Sequence, residues 1–320
     1  MTESQPKPLL TFLDIVNTCD NVRVHQSCPI PSPFESENLV PLYLSESPDS
    51  PAIGLLRPVI VEQLELENQR SRDLGGQEMW AIRVIDSTQI ARRGRKIGPS
   101  VSLHNWLDTP SKRTAAIKEV SERWRDTRLF DDVCGPNKWR DELYPVYADP
   151  FGPHDNPNDV AAGEKLNFVF EMERSACALF GVVSYGVHMN IYKEVEVDGK
   201  KNLQVWIPTR SRTKQTYVCP SFRIGVGNFP VCECRYPGLL DNSVAGGVPS
   251  GMSMFESMVK ECMEEASIAD HVVRKYARAT GAISYFIRFW LYDILYCRNA
   301  NSCWAGPPWA GFSLRLSKYQ

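Results

Sequence analysis

The amino-acid sequence predicts a mixed α/β (α+β) protein with two domains. Its 320 residues are enough for two ordinary domains, each with its own hydrophobic core. Strand-like runs such as EMWAIRVI, LNFVFEME and LQVWIP are interspersed with segments whose apolar residues recur at helical spacing. A hydrophobic content of 43% and a charged content of 23% are typical of a globular chain. Helices and sheets are therefore expected in both domains.

Loop-forming residues mark the expected domain boundaries. Residues 1–50 are rich in Pro, Ser and Glu and are predicted to be a flexible N-terminal segment. Residues 51–165 are assigned to a smaller mixed α/β domain, which ends in the Gly-, Pro-, Asn- and Asp-rich stretch YADPFGPHDNPNDVAAGEK. Residues 166–320 are assigned to the second domain, although a strand could cross the boundary between the two.

Several elements can be placed within these domains. In TPSKRTAAIKEVSERWRDTRLF, Thr109 is a suitable helix N-cap before Pro110. The apolar positions of this helix recur at helical spacing: Ala116, Ile117, Val120 and Trp124. In the second domain, ALFGVVSYGVHMNIYKEVEV and LQVWIP are predicted strands, and the turn VDGKKN between them predicts a hairpin. The segment HVVRKYARATGAISYF is expected to form a helix, a turn and a strand.

Composition and charge argue against several classes of partner. The formal net charge of -2 gives no reason to expect nucleic acid or an anionic membrane. The N-terminal MTESQPKPLLTF does not resemble a secretory signal, and AISYFIRFWLYDILYC is too short and too charged to span a bilayer. The ten cysteines are scattered, so reduced thiols are expected. We therefore expect a cytoplasmic protein without nucleic-acid or membrane partners, whose oligomeric state stays open.

The stretch AGGVPSGMSMFESMVKECMEEASI, residues 245–268, carries the clearest functional pattern. If Met254 to Ala266 form a helix, about 100° of rotation per residue gathers an apolar stripe on one side. Its members are Phe255, Met258, Val259, Cys262 and Ala266. Glu261, Glu264 and Glu265 lie together in a sector that flanks this stripe. Their repulsion destabilises an isolated helix by roughly a few tenths of a kcal/mol per pair, and Mg²⁺, which prefers carboxylate oxygens, would remove it.

The alternative is an ordinary helix with a solvated acidic edge, because clusters of charge are common. The turn before the helix favours the metal site. Gly246, Gly247 and Gly251 give a backbone that a metal ion or a phosphate can approach closely.

The same stretch resembles the signature of the Nudix hydrolases. That signature reads Gly, five residues, Glu, seven residues, then Arg-Glu-apolar-any-Glu-Glu-any-Gly-apolar. Gly246 takes the first glycine, and the three acidic positions of the second half fall on Glu261, Glu264 and Glu265.

Three positions depart from this signature. Met252 stands at the first Glu, Lys260 at the Arg and Ser267 at the second Gly. Lys260 can still pair with the glutamates, although without the bidentate geometry of arginine. A solvated helix lysine is the alternative role for this residue.

Further segments resemble one branch of the family, the thiamine-pyrophosphokinase-related proteins, in which an N-terminal domain of unassigned function precedes the Nudix domain. In the second domain these are ERSACALFGVVSYGVHMNIY, LQVWIPTRSRTKQTY and PGLLDNSVAGGVPSGMS. In the first they are LDIVNTCDN, RTAAIKEVSERWR and WRDELYPVY, so the resemblance covers residues 10–286. Members of this branch commonly carry an apolar residue at the position of Met252. No GxxxxGK[ST] loop is present, so nothing indicates a kinase.

The resemblance implies a Nudix α/β/α sandwich with a mixed sheet and Mg²⁺-dependent hydrolysis of a small-molecule diphosphate to a monophosphate, with Mn²⁺ as an alternative ion. The substrates known for the branch are oxidised or otherwise damaged forms of thiamine diphosphate. We hypothesise that Glu261, Glu264 and Glu265 bind the metal, and that one of them orients or deprotonates the attacking water. The backbone carbonyl of Gly246 or of Gly247 could complete the metal shell.

Substrate-binding residues are expected after the strand LQVWIP. Arg210, Arg212 and Lys214 could neutralise diphosphate oxygens, with a solvated loop as the alternative. Trp206 and Tyr185 could stack on a heteroaromatic ring, although aromatic residues at strand spacing more often belong to a core.

His188 is expected to be a packed strand residue rather than a ligand or a base. Residues 218–236 form an insert without a counterpart in the family, and its Cys219, Cys232 and Cys234 make a poor zinc site because of their spacing. Residues 287–320 form an atypical tail, so the C-terminal part of the Nudix sandwich is expected to be incomplete. A retained intron and a shifted reading frame in the gene model would explain both segments. The alternative function is therefore a catalytically inactive Nudix-like module that binds a nucleotide, a thiamine phosphate or a protein partner.

Overall fold

The computed structural model describes residues 39–83, 99–155, 166–210 and 240–282, together with the backbone of three short strands at 287–289, 296–298 and 309–315. Within these ranges the chain forms both helices and sheets, which confirms the mixed α/β (α+β) class. None of the described helices is long and apolar enough to cross a membrane.

The first sheet has four short strands. They are β1 (Val40–Tyr43), β2 (Ala52–Leu56), β3 (Trp80–Arg83) and β4 (Ser100–Leu103). Their order is β2-β1-β4-β3, with β1 and β4 parallel and the other pairs antiparallel. Strand β1 lies inside the segment that the sequence predicted to be flexible. This part of the segment forms a strand because its Val40 and Leu42 are buried in the core.

Three helices accompany this sheet: α1 (Pro58–Asp73), α2 (Pro110–Asp126) and the single turn α3 (Asp131–Cys134). The N-cap of α2 is the predicted one, since Thr109 Oγ1 accepts a hydrogen bond from the Lys112 N–H at 3.3 Å. The predicted apolar positions of α2 are buried: Ala116, Ile117, Val120 and Trp124. The sequence therefore predicted both the start of this helix and the face that it buries.

A two-stranded ribbon leads from this region to the second sheet. Strand β5 (Leu143–Tyr147) pairs antiparallel with β6 (Phe168–Glu173), and the short helix α4 (Cys177–Phe180) follows. The sequence predicted a strand from Ala178 onward, which is wrong for its first residues. Gly181 has a φ of 59°, and a Cβ at this position would overlap the backbone of Leu55, so the chain turns here against β2.

The second sheet has five strands. They are β7 (Gly186–Val197), β8 (Lys200–Trp206), β9 (Val244–Gly247), β10 (Ala277–Gly281) and β13 (Trp309–Arg315). The order of four of them is β10-β13-β7-β8. Strand β9 also pairs with β7, along an earlier part of that strand than β8 does. The β13–β7 pair is parallel and the others are antiparallel, so the sheet is mixed as predicted. Strands β11 (Ile287–Phe289) and β12 (Tyr296–Arg298) form a separate antiparallel pair.

The hairpin predicted at VDGKKN joins β7 and β8. Val197 pairs with Lys200, and the two residues between them, Asp198 and Gly199, have φ values of 53° and 72°. Positive φ at both central residues is the type I′ geometry that suits the twist of a hairpin.

Two further helices pack near this sheet, α5 (Met254–Ala266) and α6 (Asp270–Tyr276). The segments after α5 supply α6, β10 and β13, and β13 comes from the tail that was expected to leave the sandwich incomplete. Residues 218–236, with Cys219, Cys232 and Cys234, lie outside the described residues.

The described side chains form two apolar clusters. The first extends from Val40 to Val182 and the second from Tyr147 to Ala277. The boundary at residue 165 stays a prediction, and the β5–β6 pairing runs across it. Cys134, Cys177 and Cys262 are buried free thiols, as expected for reduced cysteines.

Candidate active site

Helix α5 is the element that carries the predicted metal ligands. Ser253 caps its N-terminus, with Oγ accepting from the Glu256 N–H at 3.2 Å. Met258, Val259 and Cys262 are buried, and Phe255 and Ala266 are partly buried, which confirms the predicted apolar stripe. This stripe packs the helix against the second cluster and so fixes which side faces the sheet.

The helix ends at the position where the Nudix signature has its second glycine. Ser267 occupies that position with φ 54° and ψ 31°, the left-handed conformation. The N–H groups of Ser267 and Ile268 both donate to the Cys262 carbonyl oxygen, the latter at 3.0 Å, so this carbonyl is satisfied where the helix ends. A glycine suits this site because it adopts positive φ without strain, whereas a serine must accept a cost of about 1 kcal/mol.

Glu261 lies directly against β9. A Cβ at Gly246 would overlap the Glu261 side chain, so only glycine allows the carboxylate to approach the strand this closely. The pKa of Glu261 is raised, first because the carboxyl is partly buried and then because Glu265 and Glu264 are nearby. This carboxylate is therefore held in a position where its negative charge is poorly compensated.

The other two glutamates point in different directions. Glu265 faces β9, where its Oε2 accepts a hydrogen bond from the Ala245 N–H at 3.1 Å. Glu264 is exposed, and its Oε2 lies 3.9 Å from Lys260 Nζ, the pairing expected for that lysine. Among the described residues, no three His, Cys, Asp or Glu side chains are already gathered as a metal site.

The backbone of β9 alternates between β7 and the opposite edge. The Val248 N–H donates to the Tyr185 carbonyl oxygen on the β7 side, whereas the Ala245 N–H donates to Glu265. Antiparallel pairing directs the N–H and C=O of one residue to the same side, so Gly246 points its carbonyl toward β7 and Gly247 points its carbonyl toward the opposite edge. The carbonyl of Gly247 is therefore better oriented than that of Gly246 to serve as a metal ligand.

A second group of side chains lies on the other face of β9, and the sequence did not predict it. A Cβ at Gly247 would overlap the Tyr144 hydroxyl and would lie 3.5 Å from Arg174 Cζ. Arg174 Nη1 donates to Glu142 Oε2 at 2.6 Å, and its guanidinium lies 5.1 Å from the centre of the Tyr144 ring. Both come from segments that resemble the branch, WRDELYPVY and ERSACALFG, but no spacing links them to the glycine turn.

The predicted substrate-binding cations are only partly described. Arg210 Nη1 pairs with Asp241 Oδ2 at 2.6 Å, and both side chains are less than one-fifth exposed, at 17% and 18%. Arg212 and Lys214 lie outside the described residues.

The predicted aromatic residues differ from each other. Tyr185 is buried and donates its hydroxyl hydrogen to the Pro150 carbonyl oxygen at 2.9 Å, as a core residue would. Trp206 is 70% exposed, so the interpretation of this residue as core is wrong; it lies at the end of the exposed strand β8. His188 is a strand residue whose Nδ1 lies 3.0 Å from Asn242 Nδ2.

Comparison with known proteins finds relatives that are named Nudix hydrolases. The chain is 36% identical over 200 residues to Nudix hydrolase 20, chloroplastic, of Arabidopsis thaliana, a match that covers 62% of this chain and 42% of that protein. It is 35% identical over 207 residues to Nudix hydrolase 24, chloroplastic, of the same plant, covering 62% and 44%. These matches support membership of the Nudix hydrolase family. The chain spans less than half the length of these two curated relatives.

The chain is also similar to a yeast protein and to one family profile. An uncharacterised protein of Saccharomyces cerevisiae is 31% identical over 167 residues, which cover 52% of this chain and 38% of the yeast protein. A family profile described as a domain of unknown function (DUF4743) matches residues 84–184, which include Tyr144 and Arg174. The segment before helix α5 therefore resembles a domain to which no function has been assigned.

Proposed function

We propose that the protein is a Nudix hydrolase that cleaves a diphosphate bond and leaves a monophosphate. The observation that carries this proposal is the packing of α5 on β9, with Glu261 against Gly246 and Glu265 bonded to the Ala245 N–H. This arrangement concentrates negative charge beside a glycine backbone at the edge of a sheet. Such a place suits a divalent cation and the phosphates that it binds.

The residues present fit Mg²⁺, or Mn²⁺ in its place, by their donor chemistry. Glu261 and Glu265 would hold the ion, Glu264 would join them after turning away from Lys260, and the carbonyl of Gly247, which points away from β7, would complete the oxygen set. When bound, the ion neutralises the diphosphate and polarises phosphorus for attack by water. The raised pKa of Glu261 supports the assignment, because a cation relieves the repulsion that contributes to it.

The three carboxylates would have different roles, in metal binding and in handling the attacking water. Glu261 and Glu265 are oriented by contacts with β9, so they are suited to a fixed binding role. The side chain of Glu264 is 56% exposed, so it is the one best placed to orient or deprotonate the attacking water.

The proposed substrate is a damaged or oxidised form of thiamine diphosphate, and this rests on the resemblance to the thiamine-pyrophosphokinase-related branch. The proposed location is the cytoplasm, although the two plant relatives carry the word chloroplastic in their names. Imaging of a tagged full-length protein in its own cells tests the location, and signal confined to an organelle would contradict it.

One observation favours the alternative, a catalytically inactive Nudix-like binding module. The three glutamates are not gathered around one point, since Glu264 pairs with Lys260 on the outer side of the helix. A module of this kind would bind a diphosphate without releasing a product.

A product-release assay separates the two functions. Purified full-length protein is incubated with Mg²⁺ or Mn²⁺ and a panel of diphosphates that includes oxidised thiamine diphosphate, and monophosphate formation is measured. We expect turnover in the wild type and a loss of about 100-fold or more in Glu264→Gln, since removing a group that handles the water's proton costs about that much.

Glu256→Gln is the matched control. Glu256 lies in the first turn of the same helix and is bonded to Arg274, away from β9. It should keep wild-type turnover. Full activity in a folded Glu264→Gln variant would contradict the catalytic role of Glu264. Diphosphate binding without turnover in the wild type would favour the inactive module.

A further inference from the structure

The two glycines of β9 face in opposite directions. Neighbouring residues of a strand point their Cβ positions to opposite faces. Accordingly, Gly246 faces Glu261 on α5, whereas Gly247 faces Tyr144 and Arg174. The strand is thus enclosed by carboxylates on one face and by a phenol and a guanidinium on the other.

Arg174 is held in a fixed orientation at this place. It follows β6 directly, and its N–H donates to the Glu142 carbonyl oxygen at 2.8 Å. Its guanidinium bonds the Glu142 carboxylate at 2.6 Å and lies against the ring of Tyr144. The loop after β9 is attached to the same ribbon, because the Ser250 N–H donates to the Leu143 carbonyl oxygen at 2.8 Å.

A diphosphate at this strand needs positive charge besides the metal. Two other described cations near the site are paired with carboxylates, as Arg174 is with Glu142: Lys260 lies beside Glu264 on the outer side of α5, and Arg210 pairs with Asp241. Arg174 is distinguished by its position, because its Cζ lies 3.5 Å from the Cβ position of Gly247. Arg174 lies on the face of β9 opposite the one that the α5 carboxylates contact. A planar guanidinium can also bond two phosphate oxygens at once, which a lysine cannot do with the same geometry.

We propose that Arg174 binds the diphosphate of the substrate at the edge of β9, opposite the carboxylates of α5. The segment that matches a domain of unknown function would then complete the Nudix site. Glu142 and Tyr144 are positioning residues, since they orient the guanidinium, and Gly247 leaves the space in which it approaches the strand. This inference rests on the proposed function.

The alternative is that Arg174 only fastens β6 to β5 through Glu142. A purely structural arginine would affect stability and leave ligand affinity unchanged. Binding of a non-hydrolysable diphosphate therefore distinguishes the two roles, and it does so whether or not the protein turns over a substrate.

The test uses methylenediphosphonate and the full chain in the presence of Mg²⁺, with affinity measured by calorimetry. We expect Arg174→Gln to weaken binding by about 10- to 100-fold, the usual effect of losing a hydrogen bond to a charged group. Arg174→Lys keeps the charge and can still pair with Glu142, so it should fold and should weaken binding less. In hydrolysis, Arg174→Gln should raise KM more than it lowers kcat.

Arg125→Gln is the matched control. Arg125 also combines an ion pair with an aromatic contact: its Nε lies 2.7 Å from Asp126 Oδ1, and its Cζ lies 4.5 Å from the centre of the Trp139 ring. It belongs to α2 and has no described contact with β9. This variant should bind the probe as the wild type does, and thermal unfolding of all variants shows which of them are folded.

The outcomes separate this inference from the proposed function. Unchanged probe affinity in a folded Arg174→Gln or Arg174→Lys variant, with hydrolysis intact, overturns the role of Arg174 alone. If the wild type binds the probe but releases no product, the hydrolase proposal fails, and the affinity of the Arg174 variants still decides the inference. If the wild type binds no probe with either Mg²⁺ or Mn²⁺, the role of Arg174 is overturned, and the hydrolase proposal is overturned with it when no product is released either.

Discussion

Helices α2 and α5 begin in the same way but use their charged residues differently. Each starts at a hydroxyl N-cap, Thr109 in α2 and Ser253 in α5, and each buries an apolar stripe. On α2 the charge nearest the core is neutralised: Arg123 Nε lies 2.9 Å from Glu67 Oε2, and the Trp124 indole N–H donates to Glu67 Oε1 at 3.0 Å. Glu67 comes from α1 and is only 7% exposed.

On α5 the charge nearest the core is not neutralised in this way. Glu261 is partly buried beside Gly246, and its nearest charged neighbours on the helix include two more carboxylates. A buried ion pair that is fully bonded serves packing, whereas like charges that the fold holds close together are typical of candidate functional sites. The difference between the helices thus separates a structural element from a candidate site.

The largest expected effect tests the structural side of this comparison. Glu67→Ala removes the buried partner of Arg123 and of the Trp124 indole, so we expect the free energy of unfolding to fall by about 3 kcal/mol. Glu119→Ala is the control, because Glu119 binds the same arginine from a side chain that is 64% exposed. It should cost no more than about 1 kcal/mol. Equal losses in urea unfolding would contradict the special role of the buried pair.

A smaller effect is expected at the end of α5. Ser267→Gly should raise the free energy of unfolding by about 0.5 to 1 kcal/mol, because glycine adopts the left-handed conformation without strain. Ser267→Ala keeps the strain and serves as the control. A glycine variant no more stable than the alanine variant would show that the serine is not strained at this position.

The smallest effect concerns the pH dependence of Glu261. Its pKa is raised in the folded state, so its contribution to stability is complete below its unfolded pKa and is lost as the pH rises through the raised folded pKa. Glu261→Gln abolishes this loss, and its Tm should exceed that of the wild type at neutral pH by a margin that narrows in acid.

Glu256→Gln should behave in the opposite way. The hydrogen bond from Arg274 lowers the pKa of Glu256, so its contribution is present above the unfolded pKa and is lost as the pH falls through the lowered value. This variant should have a lower Tm than the wild type at neutral pH. Parallel Tm profiles for the two variants would show that the two carboxylates do not differ as described.

Much of the fold could be predicted because it depends on local patterns. The N-cap and the buried face of α2, the hairpin at Asp198–Gly199 and the extent of α5 all follow from capping, periodicity and turn chemistry. The prediction failed around Phe180, where apolar residues typical of a strand form a helical turn. Their conformation is set by Gly181 packing on Leu55, more than a hundred residues earlier in the chain.

The candidate site divides along the same line. The spacing of Glu261, Glu264 and Glu265 on one helix is a property of the sequence, since residues three and four apart share a helix face. Which of them meets the strand was decided by the packing of α5 on β9, which turns Glu261 and Glu265 inward and leaves Glu264 beside Lys260. Arg174 and Tyr144 reach Gly247 only because the ribbon β5–β6 folds against the second sheet. Local periodicity determined the helix and its acidic residues, and only contacts between distant segments decided what stands opposite them.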